Sequence, residues 1–495
     1  MKKLFGTDGI RGVAGQSPLD PATIHAVGLA LAHHLAPSVL SSRSAAEGTA
    51  SVSEAPRVLI GQDTRESSDW IAAALTAGLT AAGATVESAG VITTPAVAYL
   101  ARAHKFSAGI VISASHNPWQ DNGIKLFGPD GYKLPDSTEL AIETEIFRHL
   151  DLSSPSLLSS PSLLSSPSLL SSPSLLSSRS GAEGSASPLQ PPPVNESDRA
   201  EYVRFLLAAV PDLSLDGRRI VVDCANGAAS AIAPQLFAEL NANGGGEVIL
   251  THASPNGRNI NEHCGALHPE IVAAEVVRCK ASMGITFDGD ADRALFSDEN
   301  GKVVNGDAVL LLAARHLKAL NLLTNSTVVA TTMSNMGLEA ALKRSEIKML
   351  RAPVGDKYVL EQMLSTGAAL GGEQSGHIIF SGRSTTGDGI LTALLLLDIV
   401  HRAGQTLAQL TADLKTFPQT IVNVHVREKR PLNEIPTVAA AIAAAEAALA
   451  DSGRVVIRYS GTESLARVMI EAESEPLMHH HAQTIANAIR TELGV

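Results

Sequence analysis

The stretch GITFDGDADRALF at residues 284–296 decides the fold, because it joins an apolar run to an acidic loop and a second apolar run. The first run predicts a buried β-strand, and Asp288, Asp290 and Asp292 follow at its carboxyl end. Alternate residues of an extended chain point to one side, so the three carboxylates can converge on one ion. Oxygen ligands of this kind suit Mg²⁺, and the adjacent Arg293 offers a charge for a phosphate oxygen.

Two other interpretations of the acidic loop stay open at this point. An EF-hand would place aspartates where they occur here and would use Glu299 as its last ligand, but Arg293 stands where the EF-hand turn needs glycine. The flanking segments also predict strands, whereas an EF-hand has helices. A solvated acidic turn is the simplest alternative, and the position of the loop at a strand end argues against it.

The segments around this loop alternate between short β-branched runs and Ala-rich runs. Examples are the predicted strand RVLIGQD (57–63), the helix at 67–83 with a capping serine and a terminal glycine, and the helix at 229–240. This alternation predicts an α/β fold with mainly parallel sheets covered by helices. It occurs three times, so we expect three similar mixed or parallel-sheet α/β domains, followed by a smaller C-terminal α+β domain. The predicted boundaries are 1–150, 196–299, 300–415 and 416–495.

Residues 151–195 predict a linker. Four tandem copies of SSPSLL occupy residues 153–176, and proline at every sixth position is incompatible with a regular helix or strand. We expect disorder or polyproline-like chain there. A second insert, SSRSAAEGTAS (41–51), differs at two positions from SSRSGAEGSAS (177–187). Repeat expansion in tolerant surface loops explains both, and a partner-docking segment is the alternative.

The composition excludes several classes of function. The 495 residues carry a formal net charge of −12, which argues against nucleic acid or an anionic membrane as the main partner. The apolar run at 390–400 is too short to span a bilayer and predicts a buried helix. The N-terminus has no apolar run typical of a signal peptide. Three cysteines without a CxxC pair indicate reduced thiols and a cytoplasmic protein. The histidines at 479–481 are predicted to lie on the surface of a helix.

Three further segments carry polar side chains suited to chemistry. In ISASHNPWQDNGIKLFG (112–128), Ser115 follows a predicted strand, where open α/β sheets bind ligands, and no GxSxG motif supports a hydrolase. In GGEQSGHIIF (371–380), the turn presents Glu373, Ser375 and His377. RYSGTESLAR (458–467) suits a phosphate dianion with hydroxyls, backbone amides and guanidinium groups from Arg458, Ser460, Gly461, Thr462 and Arg467.

Together, these segments resemble the α-D-phosphohexomutase superfamily. The resemblance is carried by FGTDGIRG (5–12), SASHNP (113–118), DGDADR (288–293), GGEQSGH (371–377) and RYSGTES (458–464). It covers nearly the whole chain except the two inserts, and it is closest to bacterial members that act on glucosamine phosphates. One departure is Ser464, where the family usually has proline.

The resemblance implies an isomerase with four domains around a central cleft. It implies that Ser115 is a phosphoserine and that one Mg²⁺ is held by this phosphoserine with Asp288, Asp290 and Asp292. It implies a further set of site residues: Arg11, Lys125 and His377 near the reacting groups, Glu373 and Ser375 at the sugar, and Arg458, Ser460, Gly461, Thr462 and Arg467 at the substrate phosphate. Arg293 is expected to bind substrate as well, through a phosphate oxygen. Either His377 or Lys125 is expected to act as general base.

The implied reaction interconverts glucosamine 6-phosphate and glucosamine 1-phosphate through a sugar 1,6-bisphosphate, which is the intermediate or activator. It would feed UDP-N-acetylglucosamine and cell-wall synthesis, and a monomer or homodimer is expected. A mutase for glucose or mannose phosphates is the first alternative, because the fold and chemistry would be the same. A non-enzymatic Ca²⁺-binding or scaffold protein is the second.

Overall fold

The computed structural model describes residues 4–6, 8–36, 55–150, 190–242, 244–460 and 464–495. Both low-complexity inserts and residues 151–189 of the predicted linker lie outside these ranges, so the predictions made for them rest on the sequence alone. The end of that linker is described, and there Val194 forms a β-bridge with Ser88. Gly461 and Thr462 of the predicted phosphate loop also lie outside the described residues.

The first unit is a six-stranded sheet with helices on both faces. Its strands are β1 (Phe5–Gly6), β2 (Gly9–Val13), β3 (Arg57–Gln62), β4 (Thr85–Val91), β5 (Ala108–Ile112) and β6 (Asp121–Phe127). Its helices are α1 (Pro21–Leu35), α2 (Ser68–Ala81), α3 (Thr94–Ala103) and α4 (Asp136–His149). Val58 and Ile60 of β3 pack in the core with α1 and α2, whereas Leu59 packs with α3, as the twofold alternation of a strand requires.

The second unit has five strands and the third has four. The second contains α5 (Ser197–Ala208), β7 (Arg219–Asp223), α6 (Ala233–Leu240), β8 (Glu247–Thr251), α7 (Pro269–Cys279), β9 (Met283–Phe287), β10 (Ala294–Asp298) and β11 (Val303–Val304). The third contains α8 (Gly306–Ala319), β12 (Thr327–Thr331), α9 (Met336–Arg344), β13 (Lys348–Ala352), α10 (Asp356–Thr366), β14 (Leu370–Gly372), β15 (Ile378–Phe380), α11 (Gly389–Ala403) and α12 (Leu407–Thr411).

These three sheets share one strand order. It runs β6-β5-β3-β4 in the first, β10-β9-β7-β8 in the second and β15-β14-β12-β13 in the third. In each, three parallel strands are followed by one antiparallel strand that closes a hairpin. The hairpin loop therefore lies at the carboxyl end of a parallel strand in all three units, where open α/β sheets bind ligands.

The fourth unit is a smaller α+β structure. It consists of β16 (Gln419–His425), α13 (Pro436–Leu449), β17 (Gly453–Tyr459), β18 (Leu465–Ala472) and α14 (Glu475–Leu493). Its strands form an antiparallel sheet in the order β16-β18-β17, which packs against both helices. The predicted fold class, three similar α/β units and a distinct C-terminal unit, is confirmed.

The hydrophobic clusters do not follow the boundaries between the four sheets. One large buried cluster joins α3 of the first unit, strands of the second and helices α8 and α11 of the third. The fourth unit has a separate cluster of its own. The first three units therefore form one packed body, and the fourth is attached to it mainly through polar contacts.

Two polar contacts fix that attachment. Asn335 caps α9 by accepting from Gly337 N at 2.9 Å, and its side chain also accepts from Phe417 N at 2.9 Å and donates to Phe417 O at 3.0 Å. Arg454 of β17 pairs with Glu471 of β18 at 2.6 Å and donates to the Ser334 carbonyl at 2.6 Å. Both contacts hold the segment before α9, so they set the orientation of the fourth unit.

Most predicted elements are confirmed, and two local predictions are wrong. Ser67 precedes α2 but makes no capping hydrogen bond, because its hydroxyl accepts from the Asn122 amide at 2.8 Å instead. The helix predicted from residue 229 begins at Ala233, after a 3₁₀ turn. The helix at 390–400 is buried within α11, and His479 and His480 are exposed on α14, as predicted. Within the described ranges, no helix combines the length and apolarity needed to cross a membrane.

Asn335→Ala is expected to lower stability by about 1 kcal/mol, because it leaves partly buried backbone groups of Phe417 without their partner. Asn335→Asp is the matched control, since it keeps the acceptor for the two N–H groups and loses only the donor to Phe417 O. Urea unfolding should rank wild type above Asn335→Asp and Asn335→Asp above Asn335→Ala. Equal midpoints for all three proteins would contradict this role of Asn335.

Candidate active site

The hairpin loops of the first three units meet at one cleft. Ser115 lies in the loop between β5 and β6, and its Oγ donates to Asp288 Oδ2 at 2.6 Å in the loop between β9 and β10. His377, which ends the loop between β14 and β15, places Nδ1 3.6 Å from Asp292 Oδ2. Three segments far apart in sequence are therefore brought into contact by the shared strand order.

Ser115 is held in an unusual backbone conformation. Its φ is +55°, in the left-handed region that non-glycine residues rarely adopt, and its side chain is buried. Ser113 Oγ accepts from the Ser115 N–H at 2.9 Å, and His116 Nδ1 lies 3.2 Å from Ser115 Oγ. The conformation turns the hydroxyl away from the strand and directs it at the carboxylate of Asp288.

The three aspartates form a compact and buried cluster. Their ligand atoms lie within 4.8 Å of one another. Thr94 Oγ1 donates to Asp290 Oδ2 at 2.5 Å, but Oδ1 of Asp290 and Oδ1 of Asp292 are buried without a hydrogen-bond partner. Buried carboxylate oxygens without donors are costly, and a cation would satisfy both. The donor set, all oxygen and at the end of a strand, fits Mg²⁺.

The EF-hand alternative is wrong. The loop is flanked by the antiparallel strands β9 and β10, so the helices of an EF-hand are absent from its described flanks. Glu299 lies beyond β10, where its carboxylate accepts from Ala408 N at 3.4 Å. The solvated-turn alternative is also wrong, because Asp288, Asp290 and Asp292 are all buried.

Lys125 of β6 provides most of the positive charge at the cluster. Its ammonium lies 2.8 Å from Asp290 Oδ2, 3.4 Å from Asp292 Oδ2 and 3.2 Å from Asp8 Oδ2, and its side chain is 1% exposed. Burial alone would lower the pKa of Lys125, but the carboxylates of Asp290, Asp8 and Asp292 raise it well above its usual value. Lys125 is therefore a fixed cation in the middle of the site.

The pKa values of Asp288 and Asp292 are shifted in opposite directions by their surroundings. Burial, followed by the charges of Asp292 and Asp290, raises the pKa of Asp288 well above its usual value. Burial acts in the same direction on Asp292, but Lys125 and His377 hold its pKa well below the usual value. Asp288, which contacts Ser115, thus has the least compensated charge of the cluster.

A second set of charges links the cleft to the third unit. Asp8 contacts both Arg11 and Lys133, and Lys133 also contacts Asp356 at the start of α10. Burial alone would raise the pKa of Asp8, but Lys125, Lys133 and Arg11 hold it well below its usual value. This chain of alternating charges orients Arg11, whose guanidinium also donates to the Ala114 carbonyl at 3.2 Å beside Ser115.

The Gly-rich loop presents Glu373, Ser375 and His377 from the third unit. Gly376 has a φ of +94°, which allows the tight turn. Gly355 N donates to Glu373 Oε1 at 3.1 Å, and Gly387 N donates to His377 Nε2 at 3.0 Å. Since Nε2 accepts a hydrogen bond, the neutral His377 ring carries its proton on Nδ1, which faces Asp292. Burial lowers the pKa of His377, but Asp292 and other carboxylates outweigh this and raise it above its usual value.

Residues of the first three units line a cleft of about 360 Å³ in front of the aspartates, a volume typical of small-molecule sites. The predicted residues on its walls are Arg11, Arg293, Glu373 and His377, joined by His116 and Asp356. Burial, together with Arg293 and Arg11, lowers the pKa of His116 to about 4, so its ring is neutral at pH 7. The cleft thus offers guanidinium groups on the side facing the solvent and carboxylates at its floor.

The described residues of the predicted phosphate loop do not line that cleft. Arg458 and Arg467 lie directly opposite each other on β17 and β18, and they line a separate cavity of about 270 Å³ with Met333 of the third unit. Ser460 is buried, and its carbonyl accepts from Lys429 Nζ at 2.6 Å. Three positive side chains therefore surround this loop, one of which the sequence analysis did not identify.

Sequence reasoning also missed the residues that hold the serine loop. Arg65 is completely buried, and its Nε donates to Asp63 Oδ2 at 2.8 Å. Its two terminal nitrogens donate to backbone carbonyls of the serine and of the loop that follows it, those of Ser115, Asn117, Pro118 and Asp121. Asn261 adds a donor to the Ser115 carbonyl at 2.9 Å. The available signal was the polar run after the strand at 57–63, because strand ends of one sheet lie together.

Arg65→Lys is expected to lower kcat by about 10²-fold, because an ammonium cannot reproduce the planar set of donors and a small displacement of Ser115 is costly. Arg57→Lys is the matched control, since Arg57 begins β3 and pairs with Glu87 at the surface. Steady-state kinetics and circular dichroism should show loss of rate with retained folding for Arg65→Lys only. Unchanged kcat in Arg65→Lys would show that the loop does not depend on this guanidinium.

Four family models match the chain in order. They describe the phosphoglucomutase/phosphomannomutase domains I, II, III and IV, and they match residues 2–152, 200–301, 305–417 and 421–488. Among solved structures, a phosphoglucomutase/phosphomannomutase family protein from Burkholderia thailandensis has a TM-score of 0.73 at 21% identity, with both chains covered completely. Aspergillus fumigatus N-acetylphosphoglucosamine mutase, solved with GlcNAc-6P and magnesium, has a TM-score of 0.61 at 19% identity, covering 99% of this chain and 96% of that one. These structures show the fold.

Curated relatives are much more similar in sequence. The phosphoglucosamine mutase of Koribacter versatilis (strain Ellin345) is 55% identical, covering 100% of this chain and 98% of the relative. The phosphoglucosamine mutase of Solibacter usitatus (strain Ellin6076) is 49% identical, covering 100% and 99%. The chain therefore belongs to the phosphoglucomutase/phosphomannomutase family, all four domains of which it contains.

Proposed function

We propose that this protein is an isomerase that interconverts glucosamine 6-phosphate and glucosamine 1-phosphate. A phosphoryl group passes from Ser115 to the sugar, giving a 1,6-bisphosphate, and returns to Ser115 from the other position. The observation that carries this proposal is the buried Ser115 hydroxyl, held 2.6 Å from Asp288 of the three-aspartate cluster, at a cleft that Arg11 and Arg293 line. A serine placed in this way is suited to carry a phosphoryl group next to a metal ion.

The metal site is proposed to consist of Asp288, Asp290 and Asp292, with an oxygen of phosphorylated Ser115 as a further ligand. Mg²⁺ fits these residues because it prefers oxygen donors and because two of the carboxylate oxygens are buried without a partner. Bound there, it would supply Lewis-acid polarisation of the phosphoryl oxygens.

The positive side chains neutralise the charge that the transferred group carries. A phosphoserine has a charge of about −2 at neutral pH, and phosphoryl transfer depends mainly on positioning and charge neutralisation. Lys125 lies at the floor of the site, while Arg11 and Arg293 lie on the cleft walls. We assign these three residues to stabilisation of the transferred phosphoryl group.

The general base stays a prediction shared by His377 and Lys125. The carboxylates around Lys125 favour its charged form, which suits charge stabilisation better than proton abstraction. His377 is oriented from both sides, by the Gly387 amide at Nε2 and by Asp292 near Nδ1. Glu373 and Ser375, in the same loop, are assigned to the sugar hydroxyls and the amino group.

The substrate's own phosphate is assigned to the loop of the fourth unit, with Arg458, Ser460, Gly461, Thr462 and Arg467. Arg458 and Arg467 lie directly opposite each other on neighbouring strands, so their guanidinium groups can both contact one phosphate. Their cavity is separate from the cleft in this structure. The fourth unit must therefore move toward the aspartates when substrate binds, and its closure would exclude water from the phosphoserine.

The names of the relatives favour glucosamine over other sugars. Two relatives that share about half of their residues with the whole chain are phosphoglucosamine mutases. A mutase for glucose or mannose phosphates is the remaining alternative within the family. A non-enzymatic Ca²⁺-binding protein is disfavoured because the aspartate loop lacks EF-hand geometry. We place the reaction in the cytoplasm, where it would supply UDP-N-acetylglucosamine synthesis.

Ser115→Ala is expected to abolish turnover, since the variant has no hydroxyl to carry the phosphoryl group. Ser365→Ala, at an exposed serine of α10, is the matched control and should keep the wild-type rate. Rates on glucosamine 6-phosphate, glucose 6-phosphate and mannose 6-phosphate should be measured together with phosphopeptide mass spectrometry at residue 115. Turnover by Ser115→Ala would refute the carrier role, and a preference for glucose or mannose would refute the sugar assignment.

Asp290→Asn is expected to lower the activity and to raise the Mg²⁺ concentration for half-maximal rate more than about tenfold, because it removes one anionic ligand. Asp69→Asn changes an exposed aspartate of α2 and should leave the Mg²⁺ dependence unchanged. Activity should be titrated with Mg²⁺ after treatment with a chelator. A wild-type enzyme that is fully active without divalent cations would contradict the metal site.

A further inference from the structure

A second group of potential metal ligands lies on the first unit, among residues that do not line the cleft. His33 is near the end of α1, and Glu145 and His149 are near the end of α4. Nδ1 of His33 is 3.0 Å from Oε1 of Glu145, and Nε2 of His149 is 3.5 Å from the same oxygen. All three ligand atoms lie within 4.8 Å of one another. Two imidazoles and a carboxylate therefore converge on one point.

The spacing of these atoms matches a tetrahedral metal site. Zn²⁺ binds imidazole nitrogen at about 2.0–2.1 Å, so neighbouring ligands of a tetrahedron are about 3.3–3.4 Å apart. The measured separations of 3.0 and 3.5 Å fall on either side of this value. Two histidines and one carboxylate are also a donor set found in zinc proteins, with the fourth position left to water.

The packing of the two helices presets this geometry. Glu145 and His149 are four residues apart on α4, so their side chains share one face of the helix. Ile142 and Ile146 of α4 are buried in the same core cluster as Leu31 of α1, two residues before His33. The ligands therefore project from two helices whose relative position is already fixed by the core, and little ordering is needed for an ion to bind.

The site is accessible and lacks a strong competing cation. The side chains of His33, Glu145 and His149 are 44%, 29% and 28% exposed, so a hydrated ion can reach them. Arg148 approaches Glu145 only at 3.9 Å and through the other carboxylate oxygen, Oε2. Oε1 is hydrogen-bonded to His33 Nδ1 at 3.0 Å, and a Zn²⁺ ion bound by both atoms would take the place of the proton between them.

We infer that His33, Glu145 and His149 form a binding site for Zn²⁺ on the surface of the first unit. Imidazole ligands favour zinc and related transition metals, whereas the aspartate cluster offers only hard oxygen donors. The two sites are thus distinguished by ligand chemistry. An ion here would join the ends of α1 and α4, and α4 also carries Glu143, whose carboxylate accepts from Leu4 N at 2.7 Å and Phe5 N at 3.2 Å. It would brace the helix that anchors the segment leading to Asp8 and Arg11.

The test is Zn²⁺ binding to the full-length protein in buffer saturated with Mg²⁺, measured by isothermal titration calorimetry. We expect one Zn²⁺ per chain whose affinity falls more than about tenfold in both His33→Ala and His149→Ala. His34→Ala, next to the site on α1, and His480→Ala, on α14, are the controls and should bind as the wild type does. Unchanged affinity in His33→Ala and His149→Ala, or loss of binding in His480→Ala instead, would overturn the inference.

Thermal unfolding provides a second measurement that separates binding from damage to the fold. Zn²⁺ should raise the midpoint of the wild type and of His34→Ala, and it should leave the midpoint of His149→Ala unchanged. Without Zn²⁺, all three proteins should unfold at similar temperatures, because these side chains are partly exposed. An equal Zn²⁺-dependent rise in His149→Ala would show that the ion binds elsewhere.

Discussion

The burial of three carboxylates at one strand end is the constraint on which the site depends. Isolated charges in a protein interior are very costly, and three of the same sign repel one another as well. Asp288, Asp290 and Asp292 are tolerated because Lys125 is buried with them and because Arg293 lies beside them. The opposite directions of the pKa values of Asp288 and Asp292 show that this compensation is uneven. The least compensated carboxylate is Asp288, which contacts Ser115. A cation bound there, together with a phosphoryl group on Ser115, would neutralise its charge.

The shared strand order explains how distant segments reach this position. In each of the first three units, the loop that carries the chemistry closes the antiparallel hairpin at the end of a parallel strand. Because the three units share one hydrophobic core, their loops are held against each other and form one fixed cleft. The fourth unit, with its own core, is attached by side chains such as Asn335 and Arg454. A polar attachment of this kind can rearrange at lower cost than a packed apolar one.

Much of this could be predicted from local sequence patterns. Polar residues at strand ends located Ser115 and the aspartates, the Gly-rich turn together with the family resemblance located His377, and the structure brings these residues together. The functions of Arg65 and Lys133 could not be predicted in that way, because the serine-loop carbonyls that Arg65 contacts and the carboxylates that Lys133 contacts lie 50 or more residues away along the chain. From a sequence alone, an arginine or lysine that is buried cannot be distinguished from one at the surface. The same limit applies to Ser67, whose hydroxyl binds Asn122 instead of capping α2, because a tertiary partner outcompetes the local one.

The separation of Arg458 and Arg467 from the cleft follows from the proposed reaction. The bisphosphate intermediate must present its two phosphates to Ser115 in turn, so the group that grips the idle phosphate must accept either one. A pair of arginines contacts phosphate oxygens and does not distinguish the carbon to which the phosphate is attached. In the proposed assignment, discrimination of the sugar falls to Glu373 and Ser375, which lie in the packed body formed by the first three units. The proposed reaction therefore needs a phosphate-binding unit that moves and a sugar-binding loop that stays in place. The fourth unit, which has its own hydrophobic cluster, suits the first requirement, and the loop of the third unit, which is packed with the first two, suits the second.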